Sequence, residues 1–319
     1  MVERAPVPVG VVGTGALGRH HVRLLAQLPE ADLRGIHDRS ATAAEAVAAE
    51  HGARVFDSWE DLADEVDAVV VAVPTVDHAR IGCELLRRGK HVLVETPIAA
   101  SLEEARELVS TQGDRVLAVG HVEFYNPAVE ALLGLGEPPG FVEVERLSPF
   151  TRRSLDVDVV LDLMIHDLQI LHCLDPSPLE EVRAVGISVL SDRIDLASAR
   201  LELASGCVAN VGASRVSAAP SRQLRVFFPQ SYYSLDYREQ EIKGYRLAGA
   251  GGGRSVEAAQ VEVARDEPLK RELERFLAAC RGEAVRWVSG EEGLRALETA
   301  HRVLAAIEAG RARSREAKG

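Results

Sequence analysis

The chain has 319 residues, 46% hydrophobic and 27% charged, which is enough apolar material for a sizeable core and a length that suits two domains. Its formal charge of −12 opposes nucleic acid and anionic membrane, so neither is an expected partner. Cys83, Cys173, Cys207 and Cys280 have no CxxC spacing; they read as buried thiols in a reducing compartment, not as a zinc site or a disulfide framework. No apolar run approaches roughly eighteen residues, and cytoplasm is the expected location.

From Val7 to about Gly120, short apolar runs (VPVGVV, DAVVVAV, HVLVE, RVLAVG) alternate with amphipathic stretches (ALGRHHVRLLAQL, ATAAEAVAAEH, HARIGCELLRR, SLEEARELVS). That alternation predicts a parallel sheet covered on both faces. The texture changes near residue 122, where a proline opens a short helix in HVEFYNPAVEALL and the turn-rich GLGEPPG follows. FVEVERL then reads as a strand and Val157 to Cys173 as an apolar-faced helix. Strand candidates at 182–190, 195–217, 222–237 and 240–247 have no helices between them, which implies an antiparallel sheet. AGAGGGR at 248–254 reads as a mobile loop, and two helices, near 268–281 and 290–309, precede a basic tail.

GTGALG stands where the first apolar strand meets the first helix. In that context Gly13 permits the tight turn, Gly15 lets backbone approach a pyrophosphate, and Gly18 lets helix pack on strand. The N–H groups around Thr14, Ala16 and Leu17 attract phosphate charge. Asp38, twenty residues beyond Gly18 at the end of the second strand, is placed to accept hydrogen bonds from an adenosine ribose. Its carboxylate favours NAD over NADP, while Arg39 beside it offers a partner for a 2′-phosphate. The expected fold is therefore α/β. An N-terminal Rossmann doubly wound parallel sheet (1–122) precedes a C-terminal α+β domain with a mostly antiparallel sheet (123–312) and a disordered tail (313–319).

GTGALG, VAVPTVDH at 71–78, VETPIA at 94–99, GHVEFYNP at 120–127 and DLMIHD at 162–167 together resemble the Gfo/Idh/MocA family of sugar and cyclitol oxidoreductases. More narrowly, GHVEFYNP with SPFTRRSLDVDVVLDLMIHDLQIL is similar to the branch containing UDP-N-acetylglucosamine 3-dehydrogenases, which serve lipid A biosynthesis. The resemblance implies a reaction site of a lysine, an aspartate and a histidine around the nicotinamide. Asp162 and His166 match, four apart on one predicted helix and so on one face. A neutral His166 suits the general base that takes a hydroxyl proton, and Asp162 either orients the substrate or holds the imidazolium. The lysine does not match: the family's Glu-Lys-Pro is Glu95-Thr96-Pro97, and a threonine hydroxyl brings no charge to a developing alkoxide.

Other expected contacts are Pro74, Thr75, His78 and Glu95 with the cofactor, and Tyr125, Asn126, Arg152 and Arg153 with the substrate, the two arginines suiting a diphosphate. His20, His21, His51 and His91 lack metal spacing, and no metal is expected. The resemblance implies NAD-dependent oxidation of a sugar hydroxyl, with the 3-hydroxyl of a UDP-linked N-acetylhexosamine first in line, by a homodimer or homotetramer. The alternatives are another sugar or cyclitol dehydrogenase, an NAD-dependent glycosidase, or, because of Thr96, a slowed enzyme or a protein that binds NAD and nucleotide sugar with little turnover.

Overall fold

The computed structural model describes residues 5–151, 157–249 and 254–316. The chain divides into two compact units, Met1–Val122 with Glu267–Leu294, and Glu123–Asp266 with Arg295–Gly319. Among the described residues no helix is long and apolar enough to cross a membrane.

In the first unit, strands β1 (Val7–Val12), β2 (Ala31–His37), β3 (Ala68–Val71), β4 (His91–Val94) and β5 (Leu117–Val119) pair in the order β2-β1-β3-β4-β5, every neighbour parallel. Helices α1 (Gly18–Leu25), α2 (Ala41–His51), α3 (Trp59–Asp64), α4 (His78–Arg87) and α5 (Leu102–Thr111) connect them. All four residues of β3, Ala-Val-Val-Val, are buried, as a strand covered on both faces demands. The direction of winding reverses between β1 and β3, and ligands of such sheets sit beyond the carboxyl ends of the strands at that point.

The second unit contains α6 (Pro127–Leu133), β6 (Phe141–Leu147), a wide-turn helical segment at Val160–Met164, α7 (Ile165–Leu174) and strands β7 (Leu179–Ile187), β8 (Leu196–Leu203), β9 (Val208–Ser214), β10 (Ser221–Phe228), β11 (Ser231–Asp236), β12 (Glu241–Ala248) and β13 (Ser255–Gln260). The eight strands order as β13-β12-β11-β10-β6-β9-β8-β7. All pairs are antiparallel except β6 with β9, which are separated in sequence by α7 and the β7–β8 hairpin. Two expected strands are each a hairpin. The 195–217 candidate turns at Ala204–Gly206, where Gly206 has φ +89°, and the 222–237 candidate turns after Phe228. Strand β13 was not expected, and the loop expected at 248–254 lies largely outside the described residues.

Two helices complete the chain, α8 (Pro268–Cys280) and α9 (Gly290–Glu316). Residues Glu267–Leu294 belong to the first unit, whereas the sequence reading assigns 123–312 to one second domain. The cause is the apolar stripe of α8: Leu273, Phe276, Leu277 and Ala279 join Val22, Leu24 and Leu25 of α1 in one buried core. The Val119 N–H also donates to the Val288 carbonyl (2.9 Å), fixing the return at the β5 edge. Helix α9 continues to Glu316, past the expected end at 309: it passes Gly310 without breaking and runs on through RARSRE, which contains good helix formers and no proline.

Candidate dinucleotide site and reaction site

The three loop glycines have different reasons to be glycine. Gly13 has φ +95°, and a Cβ there would lie 2.4 Å from the Ala72 carbonyl oxygen. A Cβ at Gly18 would lie 1.9 Å from the Gly13 oxygen, so the helix start closes directly on the turn. A Cβ at Gly15 would meet no protein atom within 4 Å. The need for glycine there is not internal, which fits close approach by a ligand. Ala16 and Leu17 are exposed beside it, Leu17 by 46%. Helices α2, α3 and α5 each have a serine cap, Ser40, Ser58 and Ser101, but no side chain caps α1. Its first-turn N–H groups are those an anion would satisfy.

Thr14, 4% exposed, locks the loop to the end of β2, its N–H and Oγ1 both donating to Asp38 Oδ2 (2.7 and 3.1 Å). The Ser40 N–H donates to Asp38 Oδ1 (2.8 Å). Burial raises the Asp38 pKa, but these hydrogen bonds outweigh it and hold the carboxylate below its ordinary range. Arg39 is 80% exposed and lies 3.9 Å from Asp77.

Pro74 is exposed and Thr75 half-buried at the carboxyl end of β3. His78 is not with them at the surface. It is 1% exposed, with Nδ1 2.8 Å from the Pro97 carbonyl and Nε2 2.9 Å from that of Val73. Burial lowers its pKa, and a neutral ring donates to one of these carbonyls at a time. His78, expected from the sequence beside the cofactor, thus ties together the segments after β3 and β4. Glu95, also expected beside the cofactor, is 6% exposed; it approaches His21 Nε2 with Oε1 (2.6 Å) and accepts from the Thr96 N–H through Oε2 (3.2 Å). It positions Thr96, which is partly exposed. Behind it lies Glu272 of α8, a carboxyl 1% exposed whose pKa burial and the Glu95 charge push well up.

In the second unit, Asp162 lies in the wide-turn segment Val160–Met164 and His166 in the first turn of α7, both partly exposed. The apolar spacing from Val157 to Cys173 predicts one regular helix. The Ile165 N–H instead donates to the Val160 carbonyl, one residue further back than α-helical spacing, and such turns recur at functional sites. The segment start is pinned from outside: the Ile194 N–H donates to Asp158 Oδ1 (2.8 Å) and Arg215 Nη2 to the Val157 carbonyl (2.7 Å). Burial, then Arg146 and Arg222, lower the His166 pKa to about 3, so its imidazole is neutral near pH 7.

The cations and carboxylates around His166 form a network that the sequence reading missed. Arg146 of β6, 2% exposed, donates from Nε and Nη2 to both oxygens of Asp167 (2.7 and 2.8 Å) and from Nη1 to Glu123 Oε1 (2.8 Å). Tyr237 donates to Asp167 Oδ1 (3.2 Å), and its ring lies 5.0 Å from the Arg146 guanidinium. Arg222 of β10 donates from Nη1 to the same Glu123 oxygen (3.1 Å). Burial raises the Glu123 pKa, but Arg146 and then Arg222 outweigh it and keep the group ionised. The missed signal is parity: in FVEVERL, Arg146 falls in step with the inward Val142 and Val144, and a charge on an apolar face needs a buried partner.

Tyr125 and Asn126, expected from the sequence to meet the substrate, are both buried. Tyr125 is 1% exposed and packs edge-on against Phe124 at 5.1 Å. Asn126, also 1% exposed, caps α6 by accepting from the Ala128 N–H (3.1 Å) and donates to the Tyr237 carbonyl (2.9 Å). A residue before Pro127 at the first helical position serves there as a cap. Arg152 and Arg153 lie outside the described residues. Among the described residues no three His, Cys, Asp or Glu side chains are grouped to hold a metal ion.

The glycine loop, the uncapped helix and Asp38 are those of a dinucleotide-binding oxidoreductase domain. Residues 7–121 match the family model described as "Oxidoreductase family, NAD-binding Rossmann fold". The chain is 39% identical over 306 residues to UDP-N-acetylglucosamine 3-dehydrogenase of Acidithiobacillus ferrooxidans, spanning 94% of this chain and 97% of that one. A solved structure of that enzyme, at 37% identity, superposes with TM-score 0.90 over 96% of this chain and 99% of that one. Inositol 2-dehydrogenase of Rubrobacter xylanophilus is 33% identical over 195 residues, 57% of this chain and 56% of that one. GenD2 from gentamicin A biosynthesis, solved in complex with NAD, shares the fold at 20% identity and TM-score 0.82, over 97% and 98% of the two chains. The protein belongs to the Gfo/Idh/MocA oxidoreductase family.

Proposed function

We propose that this protein oxidises a secondary hydroxyl of a sugar with NAD, and that its substrate is UDP-N-acetylglucosamine, oxidised at the 3-hydroxyl. The observation that carries the substrate is the 39% identity, end to end, with an enzyme of that name. The loop of Gly13, Thr14, Gly15, Ala16, Leu17 and Gly18 holds the diphosphate. Asp38 receives the adenosine ribose, and Pro74 and Thr75 line the same site. NAD supplies the hydride acceptor. His166, neutral because burial and two arginines disfavour its charged form, takes the hydroxyl proton as the C–H hydride departs, and Asp162 orients the reacting hydroxyl. The partly buried, ionised Asp38 carboxylate disfavours a 2′-phosphate, so NAD is preferred over NADP despite Arg39.

Thr96 supports a second reading, binding with slow or no turnover. One lost charge-stabilising donor costs on the order of 10²–10³ in rate. Reduced-nicotinamide absorbance, followed with NAD and UDP-N-acetylglucosamine for the unmodified protein, Thr96→Lys and His166→Ala, separates the two. Turnover by the unmodified protein that vanishes in His166→Ala is the expected result. Turnover by Thr96→Lys alone establishes the impaired enzyme, and silence from all three despite NAD binding overturns the substrate.

A further inference from the structure

The pairing of β6 with β10 sets Arg146 directly opposite Arg222. Like charges in that relation repel and are normally avoided. Both arginines stand on the covered face of the sheet: along β10, Arg222 is in step with buried Leu224, Val226 and Phe228, and along β6, Arg146 is in step with Val142 and Val144. The two are not used alike. Arg146 is 3% exposed at its side chain and commits Nε, Nη1 and Nη2 to Asp167 and Glu123. Arg222 is 43% exposed at its side chain although it lies on the same face, and it shares with Arg146 one oxygen of Glu123.

One shared carboxylate oxygen does not use up two guanidinium groups. The two guanidinium groups and the carboxylates of Asp167 and Glu123 balance in charge, so the cluster offers at its exposed end the donor capacity of Arg222 and not a net charge. The cluster reaches α7 through the bonds of Arg146 to Asp167, which directly follows His166, and Arg222 is among the groups whose charge acts on His166.

We propose that Arg222 is a catalytic residue, donating to the reacting oxygen beside His166 and stabilising the alkoxide character that develops as the proton leaves. This rests on the dehydrogenase reading. The reaction balances without a further reactant: the hydroxyl proton goes to His166, the hydride to NAD, and the oxygen becomes the carbonyl oxygen of the product. The same cation acts with opposite signs on the two proton carriers. It favours a bare oxygen on the sugar and disfavours the imidazolium that His166 becomes, so it assists the transfer by lying nearer the oxygen, to which it donates, than the imidazole. An arginine serves this purpose where Thr96 brings no charge.

The test compares Arg222→Met and Arg222→Lys with the unmodified protein, using NAD and UDP-N-acetylglucosamine. Readouts are kcat, the KM of each substrate, melting temperature and the His166 titration followed by NMR. Expected for Arg222→Met is a fall in kcat of on the order of 10²–10³, an unchanged KM for NAD, and a His166 pKa raised from about 3. Arg222→Lys, which keeps the charge, recovers part of kcat, which a purely structural role would not require. Turnover by Arg222→Met within about threefold of the unmodified protein overturns the assignment while leaving the dehydrogenase reading intact. So does a loss confined to KM, or a loss in both variants that follows melting temperature. Absence of turnover by the unmodified protein instead overturns the dehydrogenase reading, and this inference with it.

Discussion

Gly15→Ala separates a glycine kept for the fold from one kept for a ligand. Its Cβ would meet no protein atom within 4 Å and its φ is not in the left-handed region, so the free protein has no steric reason to reject it. Losing glycine's freedom in the unfolded chain stabilises by about 0.4–1 kcal/mol where the backbone is compatible. The melting temperature of the cofactor-free variant should hold or rise slightly. NAD affinity should not hold: a methyl group placed where backbone and pyrophosphate meet costs roughly 1–3 kcal/mol, the range of overpacking, or on the order of ten- to a hundredfold in Kd. Gly18→Ala is the control with opposite behaviour, because its Cβ at 1.9 Å from the Gly13 oxygen forces the loop open and lowers the melting temperature without any ligand. Thermal melts of the free proteins and calorimetric titration with NAD read both effects. Equal destabilisation by the two substitutions, or an unchanged NAD Kd for Gly15→Ala, refutes the reasoning.

Asp38→Asn keeps an oxygen for the Thr14 N–H but removes the charge, so the preference for NAD over NADP in kcat/KM should fall by about 1–2 kcal/mol, on the order of tenfold; an unchanged ratio speaks against a ribose site. Glu272 is protonated in the fold at pH values where it ionises in the unfolded chain, so its contribution is complete below its ordinary value of 4.5 and is lost as pH rises toward the elevated folded value. Chemical denaturation of Glu272→Gln should therefore show a stability advantage over the unmodified protein that grows by up to about 1.4 kcal/mol per pH unit above that value, and a pH-independent difference rules the burial argument out. Arg146→Met strands Asp167 and Glu123 without their shared cation and should cost about 3–5 kcal/mol in the same assay; a loss under about 1 kcal/mol means the carboxylates find other partners.

The features legible in the sequence are those decided by neighbours along the chain. The strand, the GTGALG turn, the helix and Asp38 lie within one βαβ stretch, and steric demands at Gly13 and Gly18 write themselves directly as glycines. The α8 stripe was equally visible as a periodic pattern, but its packing against α1 depends on contacts across more than two hundred residues and has no local mark. The wide turn at Val160–Met164 was hidden because its apolar residues suit regular helical spacing as well. Asn126 shows the opposite difficulty: an asparagine before a proline suits both a helix cap and a ligand contact, and the cap became visible only in its buried bonds to Ala128 and Tyr237. Arg146 was legible in principle through strand parity, whereas its pairing with Arg222 needed the register of β6 on β10.

The Thr96 substitution changes the chemistry of its position more than its geometry. On one side, Glu95 faces His21 at 2.6 Å and accepts from the Thr96 N–H; on the other, the Pro97 carbonyl lies 2.8 Å from His78 Nδ1. Residue 96 is thus held from both flanks by groups that do not involve its own side chain, and it stays partly exposed. A lysine restored there would be presented from a backbone already fixed, so Thr96→Lys tests charge and not folding, and its melting temperature should match the unmodified protein. If charge at the reacting oxygen is lacking, kcat should rise by on the order of 10²–10³. If Arg222 already provides it, kcat should change by less than about tenfold, because a second cation stabilises an oxygen that already has one far less than the first. A large gain from Thr96→Lys would therefore count against Arg222, and a small one against the view that this chain is an impaired enzyme.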